Sequence, residues 1–212
     1  QPEEAIDMQL AVTLIAILAT VLGSWMALPQ AIRLVRTRCV DGVSASWIGV
    51  SVAINAWWLA YGVGADVWVL LPVATISVAI YGTMAVVFFR TVGPRAMPGL
   101  ALGMFGLGMV PLPFLVLGGW TLAGVALGLA YGIQLLPAVV AACATDRLSG
   151  VAPATWLTAW AEAALWLAYV ALVPDVALAL AGVMGVAMAT VILVRLSVTG
   201  HRPFARRELA IS

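Results

Sequence analysis

Glu162 is the one charged residue placed deep inside an apolar stretch of this chain. Trp166 follows four positions later and Tyr169 seven, so on a helix all three share a face. A carboxylate at that depth costs several kcal/mol if it is ionised against lipid, so it faces a cavity or stays protonated. Three roles are open to it: proton coupling, capture of a solute's amine or hydroxyls, or a structural acid bonded to Thr158 or Gln134. Asn55, three residues before Trp58, is a second mid-stretch polar group, suited to a solute or to an interhelical hydrogen bond. Gln134 and Tyr81 are weaker candidates. The indoles of Trp58 and Trp166 can stack on a flat amphipathic solute, although Trp also marks membrane interfaces.

Other chemistries lack their residues. There is no Lys, which excludes a retinal Schiff base, and the single histidine is His201, near the C-terminus. No Ser-His-Asp set, phosphate-binding loop or metal motif occurs, and Glu162 has no second carboxylate at its depth. The expectation is a non-enzyme with no cofactor and no metal.

The elements that must position these groups are read from the charges. Of 212 residues, 64% are hydrophobic and 9% charged, with a mean hydropathy of +1.12. A soluble domain carries about 25% charged residues, so a soluble enzyme and a disordered tail are both excluded. Ten Arg and nine acids give a net charge of +1, too little for a nucleic-acid partner. Charge-free gaps run for 25 residues after Asp7, 24 after Asp41, 23 after Asp66, 50 after Arg95 and 19 after Asp175. About 20 apolar residues cross a bilayer as a helix. The longest gap therefore holds two helices, with Gly118-Gly119 as their turn. Seven spans are predicted, at 9–32, 46–64, 67–89, 97–116, 120–143, 154–173 and 176–196. Their continuous apolarity favours helices over the alternating strands of a barrel.

Every Arg falls on one side of this arrangement, from Arg33, Arg36 and Arg38 to Arg202, Arg206 and Arg207. Glu3, Glu4, Asp7, Asp66 and Asp175 fall on the other. The positive-inside rule then puts the N-terminus outside and the C-terminus in the cytoplasm, with the plasma membrane as the expected location. Gln1-Pro2-Glu3-Glu4 is acidic where a signal peptide is basic, so the first apolar run reads as a span. Cys39 and Cys143 both fall near cytoplasmic ends, where a disulfide is not expected.

The sequence also repeats itself at an offset of 108 residues. Leu28-Pro29 matches Leu136-Pro137, Gly42-Val43 matches Gly150-Val151, and Trp58-Leu59-Ala60-Tyr61 matches Trp166-Leu167-Ala168-Tyr169. Each unit has three crossings, and the fourth span restores parallel orientation. The domain plan is a first triple-helix bundle (9–90), a linker helix (97–116), a second bundle (120–196) and a cytoplasmic tail (197–212). This 3+1+3 plan, related by an axis along the membrane normal, is a transporter architecture. Frequent Gly in the fourth, fifth and seventh spans suits close helix packing.

Leu28-Pro29-Gln30 at the end of the first span, Gly42-Val43-Ser44 before Trp47, and Trp58-x-x-Tyr61-Gly62 together resemble the PQ-loop/SWEET superfamily of solute transporters, over about residues 20–90 and 125–196. The resemblance implies a hinge at Pro29 (with Gln30), Pro137 and Pro153, while the fourth hinge position is Ala45. Each proline could instead simply bound its helix. The resemblance further implies a pocket lined by Trp58 and Trp166. The family's third-helix Asn is replaced by Ser77 in the first bundle and by Gly182 or Gly185 in the second, so a standard sugar site lacks its amides. Acids such as Glu162 couple protons in the superfamily's lysosomal amino-acid exporters. The expected function is transport of a small neutral or zwitterionic solute, sugar-like at first guess, by alternating access with proton coupling open. A proton-coupled amino-acid exporter and a non-transporting receptor or scaffold are the alternatives. The expected partners are the solute and the lipid bilayer; a monomer suffices, and a homo-oligomer stays open.

Overall fold

The computed structural model describes residues 2–38, 40, 43–144 and 153–199, and all regular structure among them is helical. Continuous apolar runs close their backbone hydrogen bonds internally, as a chain in a lipid environment must. The helices are α1 (Pro2–Thr37), α2 (Ala45–Gly64), α3 (Leu71–Val92), α4 (Met97–Ala101), α5 (Pro111–Ala144), α6 (Pro153–Leu172) and α7 (Val176–Val198). Ile6–Thr37, Trp68–Leu136 and Val176–Val198 are long and apolar enough to cross a membrane. α2 and α6 fall outside those stretches, and they are the helices that carry Asn55, Trp58, Glu162 and Trp166.

Local chemistry sets the ends. Ser44 caps α2, its hydroxyl accepting the Trp47 N–H at 3.3 Å, and Asp175 caps α7, its Oδ1 accepting the Leu178 N–H at 2.8 Å. Pro153 takes the first position of α6, where a missing N–H costs nothing. α5 is two helical arms broken at Gly118 and Gly119, the second with a φ of 62° that favours glycine. This is the turn expected between the fourth and fifth spans.

Two expectations change. The first helix does not end near residue 32: it passes through Pro29 and continues to Thr37. Pro29 therefore does not bound its helix; lacking an N–H, it leaves the Trp25 carbonyl without its usual intrahelical donor. Pro137 likewise falls within α5 rather than at its end. Nor is 97–116 one regular helix. α4 gives way to a π-helical turn at Leu102–Gly106 and a 3₁₀ turn at Leu107–Met109 before α5 begins. Close approach to α2 accompanies this: a β-carbon on Gly103 would strike the Ser46 carbonyl, and one on Gly49 the Leu100 carbonyl. α7 runs two residues into the expected tail, and the rest of that tail from residue 200, like Cys39, lies outside the described residues.

α3 packs on both α1 and α2, and α7 on both α5 and α6; α1 also lies against α6, and α2 against α5. The segment after α4 packs chiefly on α2. α1 turns Ala16, Ala19, Ala27 and Ala31 inward, while Leu10, Ile17, Leu18, Val21 and Trp25 are more than half exposed. Small residues inside and large apolar ones outside reverse the soluble pattern and suit an apolar solvent.

The repeat is visible in the elements. α2 and α6 are each 20 residues long and stand 108 positions apart at both ends. Trp58 meets Tyr61 edge-on at 6.0 Å, and Trp166 meets Tyr169 edge-on at 5.8 Å.

Candidate functional site

A cavity of about 390 Å³ lies between the two halves, within the range of small-molecule sites, roughly 300–1,000 Å³. Six helices line it, all but α4. The structure brings Trp58, Trp166, Asn55, Ser77, Glu162 and Gln30 to this one wall, along with Gln134, Tyr81 and Gly182. Neither Pro29 nor Pro153 lines it.

Helical spacing explains the convergence. Glu162 and Trp166 are one turn apart on α6, and the Trp166 indole N–H donates to Glu162 Oε1 at 3.3 Å. Glu162 is buried, and its Oε2 has no hydrogen-bond partner among the described residues. Its carboxylate sits where a β-carbon on Gly23 of α1 would come within 2.6 Å of Oε1, so that glycine makes the room. Tyr131 of α5 borders the same carboxylate. The bonds entertained from Thr158 and Gln134 are made elsewhere: Thr158 donates to the Ala154 carbonyl at 2.9 Å, and Gln134 to the Ser51 hydroxyl at 3.0 Å. The latter is itself a contact between the two halves. Among the described residues Asn55 makes no interhelical bond; its amide donates to the Ser51 carbonyl one turn back, at 2.8 Å.

The wall is asymmetric about the repeat. The counterpart of Glu162 is Ile54, which lines the cavity and is fully buried, so the carboxylate stands on the α6 side only.

One pairing was not anticipated from the sequence. The Tyr61 hydroxyl donates to Asp175 Oδ2 at 2.8 Å, joining α2 to the cap of α7 across the two halves. Trp120 packs edge-on against Tyr61 at 6.4 Å. The signal that could have found Asp175 is its position one residue before an apolar run, a capping site rather than a bare loop acid.

The buried core has the same polarity. At the Tyr61–Asp175 end a single cluster joins both halves, through Ala16, Ile54, Tyr61, Leu127, Trp166 and Leu178. At the end that carries Arg33, Arg90 and Arg195, the described core is divided. Ala27, Leu34, Ile48, Met84 and Phe88 form one cluster in the first half, and Ala142, Ile192 and Leu196 another in the second. The cavity reaches toward this divided end, as far as Thr155 and Trp156 in the first turn of α6.

The sequence matches no protein-family model and no curated protein.

Proposed function

We propose that the chain is a membrane transporter that carries a small organic solute through the central cavity by alternating access. In this reading the helices form seven crossings in a 3+1+3 plan, α1–α3 and α5–α7 being the two bundles. The N-terminus lies outside and the C-terminus in the cytoplasm, in the plasma membrane. The PQ-loop/SWEET superfamily is the one the motif residues resemble.

The observation that carries the proposal is the polarity of the core. Among the described residues, two half-bundles that share one core cluster at one end and have separate clusters at the other, with a cavity between them, have the shape of one end-state of a rocking pair. The cavity is central, as transporter sites are. The Tyr61–Asp175 bond and the shared cluster hold the outer end closed, so the arrangement corresponds to a path open toward the Arg-bearing side. Opening the outer end needs that bond broken and the inner clusters brought together. The continuous helix through Pro29 supports a hinge there, since bending at a missing hydrogen bond keeps the swivel in one place. A scaffold would be expected to fill its interior with internal bonds; here a cavity remains, with one carboxylate oxygen unpartnered.

The test is release from proteoliposomes loaded with labelled glucose, leucine or phenethylammonium. At least one should equilibrate faster than from protein-free liposomes; identical rates for all three would contradict transport.

A further inference from the structure

The one charged group of the cavity lining is an acceptor. Glu162 is 8% exposed; its Oε1 accepts the Trp166 indole N–H, and the Tyr131 hydroxyl is a second donor beside the carboxylate. A carboxylate can accept about four hydrogen bonds, and Oε2 has none among the described residues. Asn55 spends one N–H of its amide on the Ser51 carbonyl, which leaves the second N–H and the amide oxygen for a solute. Among the described residues, no Arg lines the cavity, and the chain has no Lys. Ile54, Val73 and Leu70 add apolar lining, and Trp58 and Trp166 also border the interior.

These features discriminate between solute classes. A sugar can donate to Glu162 too, but its neutral hydroxyls make weaker hydrogen bonds to a carboxylate than a charged donor does. A zwitterion would bring a carboxylate into a cavity with no cation, beside the carboxylate of Glu162, where an unpaired charge is heavily penalised. An ammonium group is all donor, with no acceptor to satisfy. It gains both from the free carboxylate oxygen and from aromatic faces.

We infer that the cavity binds a small organic monocation, an ammonium on an apolar body, with the Glu162 carboxylate as its ion partner and the apolar lining, Ile54 and Leu70 among it, around that body. This rests on the transporter reading above and names the solute class of that same site. A proton neutralises the same carboxylate, so proton and amine exclude one another there. The other titratable groups around Glu162 are Tyr131 from α5 and Tyr81 from α3. α1 presents Gly23, α2 Asn55 and Trp58, and α7 Ala181 and Gly182, none of which titrates. Competition therefore falls on Glu162.

The experiment is a tryptophan-fluorescence titration of the purified full chain in micelles with phenethylammonium, its neutral analogue 2-phenylethanol, phenylalanine and glucose. Phenethylammonium should bind about tenfold or more tighter than 2-phenylethanol. Glu162→Gln should remove that preference. Lowering the pH should weaken binding of phenethylammonium to the native chain and leave 2-phenylethanol unchanged. The pH series needs no variant, so it decides the matter even where Glu162→Gln fails to fold. Equal affinities, a preference that survives Glu162→Gln, pH-independent binding, or no binding by any probe would overturn the cation site. Tighter binding of glucose or phenylalanine would overturn it too, while leaving transport standing. Tight, pH-sensitive phenethylammonium binding without release of any solute from proteoliposomes would instead uphold the site and overturn transport.

Discussion

At the scale of single residues, chemistry out of place is what betrays the site. Glu162 was legible because a carboxylate within an apolar run has few benign explanations, and Trp58 and Trp166 because they recur at one offset. Tyr61 and Asp175 were not legible as a pair: their contact joins residues 114 positions apart, and nothing local to either one names the other. Gly23 was equally hidden, since its role is to leave space for a side chain on another helix. The Tyr61 bond carries a prediction. A hydrogen bond to a charged group contributes about 1.5–3 kcal/mol, enough to shift a two-state balance about tenfold or more. Tyr61→Phe should therefore populate a form open at the Tyr61–Asp175 end. Spin labels on Val63→Cys and Val176→Cys, both exposed near that end, should report a second, longer distance in the variant; an unchanged distribution would mean that the bond does not hold the closure.

Among elements, hydropathy predicted where helices lie better than it predicted their regularity. The Gly118-Gly119 turn and the matched lengths of α2 and α6 were readable from the sequence. The π and 3₁₀ turns after α4 were not, because a count of apolar residues carries no information on which carbonyl each N–H reaches. The glycines there serve backbone contact with α2, and that separates two otherwise similar substitutions. Gly103→Leu must push apart α2 and the π turn, and overpacking of this kind costs about 1–3 kcal/mol. Gly82 lies within α3 with open space around its α-carbon. Gly82→Ala should therefore stabilise by about 0.5–1 kcal/mol through helix propensity. Thermal unfolding in micelles should move down for the first and slightly up for the second, and a fall for Gly82→Ala would show that the open space is occupied by packing.

For the molecule as a whole, composition announced an apolar exterior, and the outward-facing Leu, Ile and Val of α1 bear it out. How the core divides between the two ends could not be read from composition, since it depends on which helices meet at each end. That division, with the cavity between the halves, is the ground for alternating access, and it can be tested without knowing the solute. Ser77 lines the cavity and is close in size to cysteine. In a background with Cys39 and Cys143 replaced by serine, Ser77→Cys in oriented membrane vesicles is exposed to a membrane-impermeant thiol reagent from one side at a time. Alternating access predicts labelling from both sides, slower from the side of the Tyr61–Asp175 bond, where the two halves share a core. Labelling from one side only would contradict it.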